Sequence, residues 1–223
     1  MNIVALLAAG SGSRTGLEMP KQFVEINGKP LIANALETFQ EHYSVDSVIV
    51  VANPEYFDLV DEIKCRFGFT KIAKVVEGGA ERYLSSYNAV RVCTEDSDNL
   101  LIHDAARPNL SSRIIDDLLK CLEVCNAATV AVPATDTVYV TDNDRTRVIS
   151  VPDRRLLMNA QTPQAFKVGT IRAAFAKALA DTAFTPTDDA SIVLRYLPDE
   201  IVRIVPGDSG NFKITYKSDF GKI

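Results

Sequence analysis

The chain has 223 residues, enough for one α/β domain with a substantial core or for two small domains at most. Hydrophobic residues make up 47% and charged residues 24%, and no apolar run approaches the roughly eighteen residues of a membrane span, so we expect a globular protein outside the membrane. The formal charge of −5 argues against nucleic-acid binding through a basic surface, so an anionic ligand would need a local cluster of Lys, Arg and backbone N–H groups.

The N-terminus lacks the basic segment of a signal peptide. Residues 3–9 instead have the character of a strand that runs into a loop, and the expected location is the cytoplasm. No C-x-x-C spacing occurs among the cysteines, which are therefore expected to be buried, reduced thiols rather than metal ligands or disulfides. These are Cys65, Cys93, Cys121 and Cys125.

Strand-like and helix-like segments alternate along the first 134 residues. Strands are predicted at 2–8, 46–52, 71–77, 99–104 and 127–134, and helices at 31–42, 55–68, 81–93 and 111–125. Such alternation predicts parallel strands joined by right-handed helical crossovers that cover both faces of the sheet. Ligands of these sheets lie beyond the carboxyl ends of the strands, so loops 8–23, 77–82 and 104–110 are predicted to meet at one rim.

The alternation stops at 135–155, where two β-rich runs flank the turn-forming sequence DNDRT and predict a hairpin. No covering helix follows. Because an isolated hairpin is marginally stable in water, we expect a projecting arm that packs on another surface, such as a second subunit. The remaining predicted elements are helices at 168–181 and from Thr187 or Asp188 onward, and strands at 201–205 and 212–215. Residues 1–223 are thus expected to form a single domain with one arm.

The loop after the first strand, within LLAAGSGSRTGLEMPKQF (Leu6–Phe23), has the character of an anion-binding segment. Its glycine spacing, G-x-G-x-x-x-G, departs from the dinucleotide fingerprint, and it lacks the Gly-Lys-Ser/Thr of a Walker A loop. The glycines would still let backbone N–H groups approach phosphate oxygens, with charge supplied by Arg14 and Lys21. From the loop alone, an ordinary turn with a solvated Arg and Lys is the alternative.

This loop resembles the signature of sugar- and polyol-phosphate nucleotidyltransferases of the GT-A-like class. Further matching motifs follow in order over nearly the whole chain: PKQF, EGGAERYLSS, HDAARP, PATDTV, VPDRRLLMNAQTPQAF, TDDAS and GNFKIT. Together they resemble the 2-C-methyl-D-erythritol 4-phosphate cytidylyltransferase family, CTP-using enzymes of non-mevalonate isoprenoid synthesis. The sister ribitol-5-phosphate cytidylyltransferases share most motifs, and MPKQF favours them, whereas HDAARP, AQTPQ and TDDAS favour the methylerythritol family. The implied fold is α/β and Rossmann-like, with a mostly parallel sheet and helices on both faces.

The resemblance implies three groups of site residues. The CTP triphosphate would be bound by the backbone of Ala8, Ala9, Gly10, Ser11, Gly12 and Ser13 and by the catalytic side chains Arg14, Lys21 and Lys213. Cytosine and ribose would contact Gly79, Ala80, Arg82, Ser85 and Ala105. The polyol phosphate would be bound by Asp104, Arg107, Thr137, Arg154 and Thr162. Of these, Thr137 and Arg154 would reach across a homodimer from the arm.

The implied reaction is in-line attack of a polyol phosphate oxygen on the α-phosphorus of CTP, with pyrophosphate as the leaving group. Because a phosphate monoester is already ionised near neutral pH, no general base is required, and catalysis would rest on positioning and on charge neutralisation by Lys, Arg and Mg²⁺. Asp104 is a candidate Mg²⁺ or ribose ligand, the alternative being a turn residue after a strand. His103 is predicted to be structural, and Asp188 and Asp189 are predicted to cap a helix rather than bind metal.

Three functions are consistent with the sequence. The first is transfer of CMP to 2-C-methyl-D-erythritol 4-phosphate, and the second is transfer to ribitol 5-phosphate or another pentitol phosphate. The third is CTP binding by a regulatory protein without catalysis. Ala80, Met158 and the shortened C-terminal sequence depart from the family pattern and keep the second and third alternatives in consideration.

Overall fold

The computed structural model describes residues 1–10, 16, 19–181, 183, 184 and 186–222. The strands are β1 (Asn2–Leu7), β2 (Glu25–Ile26), β3 (Lys29–Pro30), β4 (Ser47–Ala52), β5 (Ile72–Glu77), β6 (Asn99–Asp104), β7 (Ala127–Pro133), β8 (Val140–Thr141), β9 (Val148–Ser150), β10 (Met158–Lys167) and β11 (Val202–Pro206). The helices are α1 (Leu31–Glu41), α2 (Phe57–Phe67), α3 (Arg82–Arg91), α4 (Ser112–Cys121), α5 (Val168–Ala178) and α6 (Asp189–Tyr196). Short 3₁₀ turns lie at Lys21–Phe23, Pro54–Tyr56, Arg154–Leu156 and Lys217–Lys222.

Within the described residues, seven strands form one sheet in the order β11-β7-β10-β6-β1-β4-β5. Neighbouring strands from β6 to β5 are parallel, and β11 is parallel to β7. Only β10 runs antiparallel to both of its neighbours in this sheet. The prediction of a mostly parallel α/β sheet is therefore confirmed.

The central strands are apolar on both faces because helices cover both sides of the sheet. In β1, Val4 and Leu6 belong to the core cluster that includes buried residues of α1, α2 and α4. Ile3 and Ala5 point the opposite way, into the cluster that includes residues of α3, α5 and α6. Burying one large apolar side chain such as Phe39 contributes about 2 kcal/mol. These two cores hold the carboxyl ends of β1 and β6 side by side.

Strand β10 was not predicted, because its sequence MNAQTPQAFK is polar and contains a proline. The register of its pairing with β7 shifts between Gln161 and Gln164, and Pro163 lies inside that irregularity, where it removes no regular ladder bond. The polar side chains Gln161, Thr162 and Gln164 are buried and hydrogen-bonded. The polar side chains of β10 therefore form a buried hydrogen-bond network, and they do not indicate a loop.

The strand predicted at 212–215 is wrong: this segment contains no strand. It crosses the rim instead, where the Ile214 N–H donates to the Ala106 carbonyl oxygen at 2.8 Å. The helix predicted at 111–125 ends earlier, at Cys121. The predicted hairpin is confirmed, since β8 and β9 pair antiparallel.

The thiols are free, as expected, but their burial differs from the prediction. Cys93 is buried, Cys121 and Cys125 are half-buried with their Sγ atoms 3.4 Å apart, and Cys65 is exposed. No helix within the described residues is long and apolar enough to cross a membrane.

Candidate active site

A cavity of about 480 Å³ opens at the carboxyl ends of β1, β5 and β6. Its walls come from the three loops that were predicted to converge, together with the segment after β11. The lining residues are Leu7, Ala9, Gly10, Lys21, Gln22, Gly79, Ala80, Glu81, Arg82, Ser85, Asp104, Ala106 and Lys213. The predicted meeting of the loops at one rim is therefore confirmed.

The loop after β1 is fixed where it begins. The Ala8 N–H donates to the Val51 carbonyl oxygen at 2.7 Å, continuing the β1–β4 ladder. The amide Nε2 of Gln22 donates to the carbonyl oxygens of Ala8 and Gly10, at 2.5 and 2.9 Å. Gln22 belongs to the PKQF motif, but no role was predicted for it. Its buried amide sets the direction in which the chain leaves β1.

Lys21 lies beside Gln22 on the cavity wall, and only 8% of its surface is exposed. The remaining predicted phosphate-binding residues, Ser11, Gly12, Ser13 and Arg14, lie outside the described residues, so their roles stay predictions. The structure thus brings Ala9, Gly10 and Lys21 to the cavity, with Ala8 buried directly behind them.

Two glycines make the second wall possible. A Cβ at Gly78 would lie 2.1 Å from the Ala9 Cβ, and one at Gly79 would lie 2.2 Å from the Leu84 Cβ. A larger residue at Gly78 would therefore push the turn after β5 away from the loop after β1, and one at Gly79 would push it away from α3. The Gly79 N–H donates to the Ser85 Oγ at 3.0 Å, which ties the turn to the first turn of α3. Gly79 and Ser85 lie at the cavity as predicted, whereas Ala105 is buried beside it.

Four charged side chains form a chain of ion pairs that runs from the cavity lining into the protein interior. Arg82 Nε lies 3.0 Å from Asp104 Oδ1, and Arg82 Nη1 lies 2.8 Å from Asp189 Oδ2. Lys213 Nζ lies 2.7 Å from Asp104 Oδ2. Both oxygens of the Asp104 carboxylate therefore face cations, and the described structure joins residues from β6, α3, α6 and the segment after β11.

The ionisation of this chain is fixed by its charges. Burial alone would raise the pKa of Asp104, but Arg82 and Lys213 outweigh burial and hold that pKa well below its usual range. Burial would likewise lower the pKa of Arg82, but Asp189 and Asp104 raise it above its ordinary value. The carboxylate and the guanidinium thus stay charged at neutral pH.

The two aspartates of TDDAS have different roles. Asp188 caps α6, since its Oδ1 accepts from the Ser191 N–H at 2.9 Å, and the capping prediction is confirmed for this residue. The same prediction is wrong for Asp189, whose carboxylate turns inward to Arg82. The local sequence indicates where the helix starts. It does not reveal that the ion-pair partner of Asp189 lies more than a hundred residues away in the chain.

His103 is structural, as predicted. Its ring is fully buried, with Nδ1 lying 3.1 Å from Thr162 Oγ1 and Nε2 lying 3.0 Å from the Arg107 carbonyl oxygen. Burial lowers the pKa of His103 to about 4, so the ring is neutral at physiological pH. The Thr162 Oγ1 also accepts from the Asp104 N–H at 3.1 Å. Thr162 therefore supports the cavity floor from behind, and its predicted contact with substrate stays a prediction.

This buried imidazole predicts a stability change with pH. The unfolded chain binds a proton at His103 below about pH 6.5, whereas the folded chain does so only near pH 4, so stability should fall as pH decreases through this window by up to about 3 kcal/mol. Asp104 contributes to the pH dependence of stability only below this pH range, because its pKa in the folded chain is lowered. Urea unfolding of the wild type and of His103→Gln measures the effect; equal pH slopes in the two proteins would contradict it.

Arg107 lies next to the cavity rather than on its wall. Its Nη1 donates to the Asn211 carbonyl oxygen at 2.8 Å, and its Nη2 donates to the Ala160 carbonyl oxygen at 3.4 Å. The Asn211 Nδ2 donates in turn to the Thr162 carbonyl oxygen at 2.8 Å. Burial lowers the pKa of Arg107. These bonds attach the segment that carries Lys213 to β6 and β10.

The two predicted arm residues are not part of this cavity's lining. Thr137 and Arg154 are exposed and do not line it. The Arg154 Nη1 donates to the Thr135 carbonyl oxygen at 2.8 Å, which holds the base of the arm together. Their contact with a polyol phosphate across a homodimer stays a prediction.

The described residues contain no group of three or more His, Cys, Asp or Glu side chains that could hold a metal ion. Asp104 is the carboxylate on which the prediction of a Mg²⁺ ligand rests. Mg²⁺ in nucleotide sites commonly takes one or two carboxylates together with substrate phosphates and water. The donor set fits an ion that arrives with a triphosphate, not one held by protein ligands alone.

Comparison with known proteins gives a consistent result. The family model described as "IspD: 2-C-methyl-D-erythritol 4-phosphate cytidylyltransferase" matches residues 2–222. A protein of that name from Thermobifida fusca is 41% identical over 220 residues, covering 96% of this chain and 88% of that protein. The Haemophilus influenzae "Bifunctional ribulose 5-phosphate reductase/CDP-ribitol pyrophosphorylase Bcs1" is 39% identical over 220 residues, which are 98% of this chain and 46% of that protein.

Solved structures agree with the family match. The crystal structure of a 4-diphosphocytidyl-2C-methyl-D-erythritol synthase from Anaerococcus prevotii superimposes with a TM-score of 0.83 at 30% identity. The superposition covers 98% of this chain and 94% of that one.

Proposed function

The chain belongs to the 2-C-methyl-D-erythritol 4-phosphate cytidylyltransferase family, and on that basis we propose that it transfers CMP from CTP to 2-C-methyl-D-erythritol 4-phosphate and releases pyrophosphate. One observation carries the proposal: the cavity at the carboxyl ends of the strands combines Lys21, Arg82 and Lys213 with a glycine-containing wall. This is the composition that a nucleoside triphosphate needs, because cations and backbone N–H groups offset its charge.

The transfer is one displacement at phosphorus. An oxygen of the acceptor phosphate bonds to the α-phosphorus of CTP while the bond to the bridging oxygen of the β-phosphate breaks, and pyrophosphate carries away the electron pair. The side chains of Lys21 and Lys213 lie at the cavity, where their charges favour the more negative transition state. Gly79 and Ser85 would position the nucleoside, which makes the reaction effectively unimolecular once both substrates are bound.

No proton acceptor is needed, because the attacking phosphate monoester is already ionised near neutral pH. His103, the only histidine near the cavity among the described residues, supports this view. It is fully buried, both of its ring nitrogens are engaged, and its pKa is about 4. The His103 ring therefore supports the cavity floor and does not transfer a proton.

Mg²⁺ is the proposed cofactor, bound together with the triphosphate and held on the protein side by Asp104. It would supply further charge neutralisation on the phosphate oxygens. The Asp104 carboxylate is only 10% exposed and already faces Arg82 and Lys213, so its orientation is fixed before any ligand binds.

The arm supports a homodimer with shared active sites. Large apolar side chains are exposed along both of its strands and their flanks: Val138, Tyr139, Val140, Val148, Ile149 and Val151. A concentration of exposed apolar side chains on one hairpin is typical of an interaction site. In a two-fold dimer each arm would bring its Thr137 and Arg154 towards the other subunit, where they would add to that subunit's own acceptor-phosphate contacts.

A pentitol phosphate is the second candidate acceptor. The observation that favours it is the 39% identity to the Haemophilus influenzae bifunctional protein, whose name includes CDP-ribitol pyrophosphorylase. The identity to the Thermobifida fusca enzyme is slightly higher, at 41%, and the family model is that of the methylerythritol enzymes. The first acceptor is therefore preferred.

Parallel measurement of pyrophosphate release from CTP with each polyol phosphate tests the proposal. We expect turnover with 2-C-methyl-D-erythritol 4-phosphate, a kcat/KM for ribitol 5-phosphate at least about tenfold lower, and loss of both activities on chelation of Mg²⁺. Turnover with ribitol 5-phosphate alone would establish the second candidate. Tight CTP binding without release of pyrophosphate from either acceptor would instead indicate a regulatory nucleotide-binding protein.

A further inference from the structure

Asp189 is a fully buried carboxylate with one known partner. Its residue exposure is 0%, its Oδ2 lies 2.8 Å from Arg82 Nη1, and its Oδ1 is buried without a hydrogen-bond partner among the described residues. A buried carboxylate is costly unless a cation compensates it, so an unneeded charge at this position would be a liability. The neighbouring Asp188 already supplies the cap of α6.

The backbone around Asp189 is held rigidly. The Oε1 of Gln164 accepts from the Asp189 N–H at 2.9 Å and from the Ala190 N–H at 3.1 Å. The Nε2 of Gln164 donates to Asp188 Oδ2 at 2.7 Å. One buried amide of β10 thus fixes the start of α6, and the Asp189 carboxylate is presented to Arg82 from a fixed point.

Arg82 connects this fixed carboxylate to the cavity. Its Nη1 faces Asp189 while its Nε faces Asp104 Oδ1, so the planar guanidinium acts as a spacer between two carboxylates. Asp104 Oδ2 then receives Lys213 Nζ at 2.7 Å. Asp189 does not line the cavity, whereas Arg82, Asp104 and Lys213 do.

We propose that Asp189 is a positioning residue for nucleotidyl transfer, which holds Arg82 against Asp104 and thereby fixes Lys213 at the cavity. The proposal rests on the proposed function. Without the anchor, Arg82 would retain Asp104 as its partner but would be free to swing, and Asp104 and Lys213 would follow it. Displacement of a catalytic charge by about 1 Å is enough to lower a rate substantially.

The competing explanation is that Asp189 merely stabilises the start of α6. Asp188 provides the matched control, because it lies on the same helix start, caps it and contacts Gln164, but does not touch Arg82. If helix stability were the whole effect, replacing Asp188 would reduce activity at least as much as replacing Asp189.

The first experiment compares Asp189→Asn with Asp188→Asn. We expect Asp189→Asn to lower kcat between about tenfold and a hundredfold, with KM for the acceptor changed less than about threefold, because the defect lies in transition-state charge rather than in binding. Asp188→Asn should keep kcat within about twofold of the wild type even if its melting temperature falls. Equal losses of kcat in the two variants would overturn the proposal.

A double-mutant cycle with Arg82→Gln shows whether the effect passes through Arg82. In the Arg82→Gln background, adding Asp189→Asn should cause less than about a twofold further loss of kcat, because the path to Lys213 is already broken. The double variant should also be more stable to urea than Arg82→Gln alone, which leaves the Asp189 charge buried without a cation. If Arg82→Gln does not fold, Arg82→Met, which also removes the cation, takes its place in the cycle. If the two substitutions instead lowered kcat independently, so that their fold losses multiplied in the double variant, the proposal would be overturned.

The stability part of the cycle also separates this inference from the proposed function. If the wild type releases no pyrophosphate with any acceptor, the proposed function fails, while coupling between Arg82 and Asp189 is still measured by urea unfolding. Absence of that coupling would refute the positioning role whatever the acceptor is.

Discussion

Replacing Lys213 with alanine is expected to lower kcat for CMP transfer by about two orders of magnitude. The Lys213 ammonium lies on the cavity wall, 2.7 Å from Asp104 Oδ2, and about a third of its side chain is exposed, so it can reach a bound phosphate. In the proposed mechanism, removing it takes away a charge that faces the transition state. It also leaves Asp104 with one cation fewer, so the negative charge of this carboxylate is less compensated near the phosphates.

The measurement is the initial rate of pyrophosphate release at saturating CTP and acceptor. Lys217→Ala is the matched control, because Lys217 is exposed on the same C-terminal segment and should leave kcat within about twofold of the wild type. Lys213→Arg keeps the charge but changes its shape, and an intermediate rate is expected. A wild-type kcat in Lys213→Ala would remove Lys213 from the mechanism.

The sheet and the position of the cavity were predictable from local patterns. Apolar runs such as Asn2–Leu7 and Ser47–Ala52 are buried on both faces, and their alternation with helices dictates parallel pairing. Once the strands are parallel, the loops that follow them must emerge at the same edge. The convergence of Gly10, Gly79 and Asp104 follows from topology and needs no contact information.

The parts that were missed depend on contacts between distant segments. β10 looks polar because Gln161 and Gln164 hydrogen-bond within the interior, and hydrophobic periodicity cannot distinguish such a strand from a loop. Asp189 looks like a helix cap because its ion-pair partner, Arg82, is remote in sequence. The hydrogen bonds from Gln22 to the carbonyl oxygens of Ala8 and Gly10 were missed for the same reason, because they join separate parts of the sequence. Buried polar networks carry specificity that local sequence patterns do not express.

The arm shows a third kind of limit, because the partner proposed for its exposed surface is another molecule. β8 and β9 contain two and three residues, and their side chains are exposed. A hairpin of this size has too little buried area to be stable alone. Its order within one chain comes from contacts at its base, such as Arg154 with the Thr135 carbonyl oxygen. Its function therefore has to be tested on the assembled protein.

Arg154→Ala is expected to lower kcat/KM for the acceptor on the order of a hundredfold, because a charge-assisted contact to the acceptor phosphate is lost. The key measurement is complementation. Arg154→Ala and Lys213→Ala should each be nearly inactive, but an equal mixture that is dissociated and reassociated should recover about a quarter of wild-type activity. Half of the dimers would be hybrids, and each hybrid would contain one site with an intact cavity and an intact arm.

Arg155→Ala is the matched control for the arm. Arg155 is exposed beside Arg154, but its guanidinium is already bonded to the Asp153 carboxylate, so its loss should change kcat/KM less than about twofold. Each inactive variant taken alone through dissociation and reassociation should gain nothing. If Arg154 acted within its own subunit, every site in a hybrid would carry one of the two substitutions, and no intact site could form. Failure to recover activity in a mixture shown by mass to contain hybrids would therefore place Arg154 outside the partner's site.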